Sequence, residues 1–206
     1  MDTVISFNAG DIRLEGVLTP LSPTRGVVVT HPHPVYGGQM DNRVVTTITK
    51  VYQRMGWTTL RFNFRGVGAS QGGYDHGRGE QEDLQGAIDF MAARGFQEID
   101  LAGYSFGAWI ICRWAQRDPD GKHRIILVSP PVAFTDFTGI GPIPGLKGVI
   151  TGEQDEIAPA GMIEASLPRW NPRAALLALD GADHFYAGRT AILEQGLCDL
   201  ILKNNK

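Results

Sequence analysis

The sequence predicts an α/β fold, a parallel sheet covered by helices on both faces and entered through an antiparallel hairpin. Three observations predict it. Short, nearly unbroken apolar runs recur along the chain, as in strands buried on both sides. The longer segments between them carry apolar residues at i, i+3 and i+4, the stripe of an amphipathic helix. The two patterns alternate, and alternation of strand and helix implies parallel strands joined by crossover helices.

The elements follow in order. Thr3–Asn8 and Ile12–Thr19 flank the turn-forming Asn8-Ala9-Gly10-Asp11 and read as the hairpin. Buried strands are expected at Gly26–Thr30, Thr58–Asn63, Ile99–Tyr104, Arg124–Ser129, Lys147–Thr151 and Ala174–Leu179. The first helical stripe is Val44, Val45, Ile48, Val51, Tyr52 and Met55, with Asp41 or Asn42 as its cap. Leu84, Ala87, Ile88 and Met91 form the second, and Glu80, Glu82 and Asp83 suit the positive end of its dipole. Ala108, Ile111, Cys112 and Ala115 form the third, a further helix begins near Pro159, and Leu193, Leu197, Leu200 and Ile201 form the last.

A chain of 206 residues suits one domain spanning 1–206. The formal net charge is -3, with no large basic cluster, so neither nucleic acid nor a polybasic membrane surface is an expected partner. No apolar run has the length of a membrane span, and the N-terminal segment lacks the pattern of a signal peptide. Cys112 and Cys198 lie in apolar helical segments and read as reduced core residues. These features point to the cytoplasm. Monomer and homodimer fit them equally.

In a parallel sheet the ligand sits beyond the C-terminal strand ends, so chemistry is sought after each apolar run. After Ile99–Ala102 comes Gly103-Tyr104-Ser105-Phe106-Gly107, with a strand before it and a helix after it. Gly-x-Ser-x-Gly in that context puts a serine on a strained turn with its hydroxyl exposed above the sheet. The Phe106 N–H then faces the same space at a helix N-terminus. A serine hydroxyl needs a base. For this turn the chain order is serine, acid, histidine. His31, His33 and His76 precede Ser105, and His123 lies at the wrong end of its strand, which leaves His184. The acid that orients it is expected at Asp155, after the penultimate strand. Glu153 is the nearest competitor, with Glu156 and Asp183 behind it.

His31-Pro32-His33-Pro34 follows the first buried strand. Its His-x-His spacing suggests a metal, but a zinc site needs three or four ligands, and the third would have to be Asp41 or something distant. The prolines offer a better reading. They have no N–H, so His33 is the only backbone donor between them, and they hold the loop extended. The His33 amide is thus expected to join that of Phe106 as an oxyanion donor, with the His33 side chain optional. Phe64-Arg65-Gly66-Val67-Gly68, in a second glycine-rich loop, misses both the dinucleotide and the phosphate-loop spacing. This speaks against a nucleotide-binding oxidoreductase. Arg65 is left to contact an acidic substrate group or to pair with a carboxylate. Tyr36, Arg65, Tyr104, Val132, Phe134 and Phe185 are the candidate pocket residues, with Phe137 and Ile140 either lining it or joining the core.

The segments HPHPVYGGQMDNRVV, RFNFRGVGASQG, YDHGRGEQEDL, LAGYSFGAW, GEQDEI and DHF together resemble the α/β-hydrolase superfamily. The chain is most similar to its small, lidless carboxylesterase-like branch, related to dienelactone hydrolases. The resemblance implies a mostly parallel eight-stranded sheet whose second strand is antiparallel, and a triad of Ser105, Asp155 and His184. Dienelactone hydrolases use a cysteine nucleophile. Ser105 here argues instead for a serine esterase acting on small or varied esters, with no metal or organic cofactor. Ser129–Lys147, where such enzymes insert a cap, is short and proline-rich, so an open site is expected. Thioester and amide cleavage on the same triad remain alternatives within the class. A non-catalytic binding protein of the same fold is the alternative outside it.

Overall fold

A computed structural model describes residues 1–203. In chain order its elements are β1 (Thr3–Ala9), β2 (Ile12–Thr19), β3 (Arg25–Thr30), α1 (Arg43–Arg54), β4 (Thr58–Phe62), α2 (Gly79–Ala92), β5 (Glu98–Tyr104), α3 (Phe106–Trp114), β6 (Ile125–Val128), β7 (Leu146–Gly152), α4 (Ala160–Trp170), β8 (Ala175–Leu179) and α5 (Thr190–Lys203). The strands form one sheet in the order β1-β2-β4-β3-β5-β6-β7-β8. β2 runs antiparallel to both β1 and β4, and every later pairing is parallel. The strand and helix expectations hold to within a residue or two at each end.

The period of two along the strands divides the core between two faces. Val28 faces one apolar layer with Leu84, Met91 and Ile111 from α2 and α3. Val27 and Val29 face the other, with Val44, Ile48 and Val51 from α1 and Leu193 and Leu197 from α5. A continuous valine run therefore has no solvent side, which is why it shows no alternation. Asn42 caps α1, its side-chain oxygen accepting the Val44 N–H at 2.9 Å. Below the sheet, Arg124 grips Asp100 with Nε and Nη2 at 2.9 and 2.8 Å, and the Tyr52 hydroxyl donates to the same carboxylate at 3.0 Å. That cluster joins α1, β5 and the start of β6 at the end of the sheet remote from Ser105.

The β6–β7 connection, residues 129–145, holds neither helix nor strand, as its prolines dictate, and builds no cap. Phe137 and Ile140 turn into the core, and Val132 packs against it. Of the large hydrophobic side chains in this loop, Phe134 is the one that stays largely exposed.

Candidate active site

The β5–α3 turn places Ser105 at φ 53° and ψ -118°, outside the conformations an L-residue prefers. The flanking glycines let neighbouring backbone come close. A Cβ on Gly103 would sit 2.7 Å from Thr30 Oγ1 and 2.8 Å from the Ala108 nitrogen. One on Gly107 would sit 2.5 Å from Thr30 Oγ1 and 2.7 Å from the His31 carbonyl oxygen. Only glycine allows β5, the turn and α3 to close this tightly on the end of β3.

Ser105 Oγ lies 2.9 Å from His184 Nε2. His184 Nδ1 lies 3.0 and 2.9 Å from the two carboxylate oxygens of Asp155. All three residues are buried. Asp155 Oδ1 also accepts the N–H groups of Ile157 at 3.0 Å and Ala158 at 2.7 Å. Burial pushes the Asp155 carboxyl pKa up. Its bond to His184, the charge there, the Ala158 N–H and the Ser129 hydroxyl outweigh that and hold it below the usual carboxylate value. The carboxylate is therefore ionised, and it presents its lone pairs to Nδ1. Nδ1 carries the proton as a result, and Nε2 offers its lone pair to the serine. The Tyr104 hydroxyl steadies this loop by donating to the His184 carbonyl at 2.9 Å. Glu153 takes no part in this constellation. Its backbone N–H donates to Leu179 in the neighbouring strand.

The loop after β3 enters a 3-10 turn at Pro34–Tyr36. Neither the His33 nor the Phe106 backbone N–H has a hydrogen-bond partner among the described residues. The His33 carbonyl accepts from Tyr36 at 3.1 Å and Gly38 at 3.0 Å, which closes the loop on itself. The imidazole, expected to be optional, has a structural task. Nδ1 accepts the Val35 N–H at 3.2 Å, and Nε2 meets the Tyr74 hydroxyl at 3.2 Å. The ring also packs on Phe106 with centroids 4.8 Å apart. His31 is fully buried, donating from Nδ1 to the Pro32 carbonyl at 2.7 Å and accepting the Phe64 N–H on Nε2 at 3.0 Å. The ring nitrogens of both histidines are thus occupied by internal hydrogen bonds, and the pairing serves the loop's geometry. Among the described residues no three metal-ligating side chains cluster.

Ser105 and His184 open into a cleft of about 670 Å³ lined also by His33, Tyr36, Tyr104, Phe106, Phe134, Ile157 and Phe185. Tyr36, Phe134 and Phe185 are mostly solvent-exposed, and the Tyr36 and Phe134 rings meet edge to face 6.0 Å apart. Two candidate pocket residues are not there. Arg65 lies outside the lining because its guanidinium is held by the buried Asp83, at 3.0 Å from Nε and 2.8 Å from Nη2. Val132 is absent because it packs against the core. Sequence reading also passed over three participants, Tyr74, Ser129 and Tyr186. Ser129 alone carried a signal, since it directly follows an apolar run. Nothing local pairs Tyr74 with a histidine 41 residues away.

The profile of the alpha/beta hydrolase family matches residues 40–201, so the His31–Gly38 loop lies outside the matched segment. An uncharacterized protein of Rickettsia prowazekii is 34% identical over 212 residues, covering 96% of this chain and 88% of that protein. An alpha-beta serine hydrolase homologue from Coxiella burnetii superposes with a TM-score of 0.83 at 36% identity, over 97% of this chain and 96% of its own. XC6422 from Xanthomonas campestris, described as an a/b serine hydrolase without lid, has a TM-score of 0.87 at 29% identity, over 98% and 94%. With its sheet order, its strained Gly-x-Ser-x-Gly turn and these relatives in agreement, this chain belongs to the alpha/beta hydrolase family.

Proposed function

We propose that this protein is a serine esterase that cleaves small, uncharged carboxylic esters through an acyl-enzyme on Ser105. The observation that carries this reading is the unbroken chain from Ser105 Oγ through His184 to Asp155, each link 2.9–3.0 Å, opening into the apolar cleft. Ser105 Oγ attacks the ester carbonyl carbon as its proton passes to His184 Nε2. Asp155 stabilises the imidazolium that forms. The Phe106 and His33 N–H groups receive the oxyanion, and the C–O bond breaks as His184 gives its proton to the departing alkoxide. Water then attacks the acyl-enzyme with His184 as base, releasing the acid and restoring Ser105.

Esters, rather than charged substrates, are supported by the cleft lining, which contains no Asp, Glu, Lys or Arg. A carboxylate or ammonium brought there would lose hydration without gaining a partner. The test is a panel of uncharged acyl esters of graded length together with a fluorophosphonate probe. The probe should modify Ser105. Ser105→Ala should abolish both labelling and ester cleavage with little change in melting temperature. Turnover retained in that variant would overturn the assignment, and an unlabelled but folded wild type would favour a binding protein.

A further inference from the structure

Tyr36, Phe134 and Phe185, the aromatic side chains that stay exposed among the described residues, all line the cleft. Tyr36 and Phe134 meet each other. Phe185 meets the proposed base. Its ring stands edge to face against the His184 imidazole, with centroids 5.5 Å apart and planes at 90°. Phe185 is 65% exposed, although the residues on either side of it in the chain, His184 and Tyr186, are buried. A single exposed phenylalanine is ordinary. This one is held in place by the loop around it.

The loop is pinned on both sides of Phe185. Asp183 Oδ1 accepts the N–H of Phe185 at 3.0 Å and that of Ala187 at 3.3 Å. Before the ring, the His184 carbonyl accepts the Tyr104 hydroxyl at 2.9 Å. After it, Tyr186 enters the core at φ 53°, its hydroxyl 2.8 Å from that of Ser129. A tyrosine adopts that conformation only where its surroundings impose it. The loop thus keeps one shape, with an apolar ring outside it and at the cleft.

What that ring meets follows from the proton transfers. The oxyanion is directed at the Phe106 and His33 amides. The alkoxide departs with the proton from His184 Nε2, so its oxygen must come within hydrogen-bond reach of that nitrogen. The carbon attached to that oxygen therefore lies beside the imidazole. Of the two aromatic rings packed on the imidazole, Tyr104 is buried, and Phe185 is the one open to a ligand. We propose that Phe185 is the specificity-determining residue for the alcohol portion of the ester, and that it favours alcohols carrying an aromatic ring a short chain from the oxygen. The proposal rests on the serine-esterase reading. An edge-to-face or offset aromatic pair is worth more than its buried area alone, so a ring should be preferred over a saturated group of equal size.

The experiment compares 2-phenylethyl, 2-cyclohexylethyl and ethyl butanoates in the wild type, Phe185→Leu and Phe185→Ala. All three esters give the same acyl-enzyme, so differences in kcat/KM report the alcohol alone. The wild type should favour the phenylethyl ester over the cyclohexylethyl ester about five-fold, the scale of one aromatic pair. Phe185→Leu keeps an apolar side chain and removes the ring, so it should bring that ratio close to one. Phe185→Ala should in addition lower both larger esters toward the ethyl ester. The side chain is exposed, so both variants should melt close to the wild type. The ratio between ethyl butanoate and ethyl acetate, which reads the acyl side, should stay at its wild-type value in both. A wild type that does not distinguish phenyl from cyclohexyl overturns the proposal, as does a preference that survives in Phe185→Leu, or alcohol and acyl ratios that shift together. If the wild type cleaves these esters and a fluorophosphonate labels Ser105, only the alcohol site has failed. If it cleaves none and Ser105 is unlabelled, the esterase reading has failed with it.

Discussion

At the scale of single residues, His33 is the clearest case of one residue with two uses. Its backbone N–H has no hydrogen-bond partner among the described residues, at a position that lines the cleft, while its imidazole caps the 3-10 turn that follows. Removing the ring should loosen the loop without removing the donor. His33→Ala should cost about ten-fold in kcat, the scale of one lost cap, and still label at Ser105. His33→Asn should recover most of that loss, because an asparagine oxygen can accept the Val35 N–H in place of Nδ1. An equal loss in both variants would show that the cap is not what matters. His184→Ala is a different case. It removes the proposed base and should cost about 10³-fold or more. The proposed amide role could be read from the two prolines alone. The ring's role could not, because its partner Tyr74 is distant in sequence and meets it only after α1, β4 and the glycine-rich loop have folded.

At the scale of elements, His31 links the strand-end loops of β3 and β4. Burial lowers its pKa from 6.5 to about 4, with a small opposing push from its bond to the Pro32 carbonyl. Between those values the unfolded chain binds a proton at this site that the folded chain refuses. The contribution is therefore intact above about pH 6.5 and is lost as the pH falls toward 4, amounting in full to about 3 kcal/mol. Urea midpoints at pH 7 and pH 4.5 should differ more in the wild type than in His31→Gln. The variant should be less stable at pH 7 yet flatter with pH, and parallel curves would refute the assignment. The elements themselves were legible because each signal is local. Gly103 and Gly107 signalled a strand-to-helix turn, and Asp41 or Asn42 signalled a helix start. Arg65 was not legible to the same degree, since substrate contact and an ion pair look alike in sequence. The buried Asp83 decides between them.

At the scale of the whole molecule, the irregular β6–β7 connection leaves the cleft open, with Tyr36, Phe134 and Phe185 around its mouth. Among the described residues there is no lid to displace. The rate on a sparingly soluble ester should therefore rise smoothly through the concentration at which the ester aggregates, and a sharp step there would contradict an open site. The absence of charged lining residues leads to a second expectation. Placing a carboxylate on the acyl group of a good ester should lower kcat/KM by about ten-fold or more, whereas lengthening an uncharged acyl chain by one methylene should change it only a few-fold.

The sequence by itself determined what depends on a few adjacent residues. It specified the alternation of strands and helices through their periods, and the strained serine turn through two glycines. It also singled out one amide between two prolines, and the chain order that leaves His184 as the partner of Ser105, with Asp155 favoured over Glu153 as the acid. Tertiary structure decided what depends on residues far apart in the chain. Asp155 and His184 are 29 residues apart and Ser105 and His184 are 79 apart, yet each pair sits within 3 Å. The physical reason is register. Parallel pairing brings the ends of β5, β7 and β8 to one edge of the sheet, and each side chain's partners are then set by which neighbours that edge supplies. The Ser129–Tyr186 bond, the His33–Tyr74 bond and the capture of Arg65 by Asp83 arise in this way.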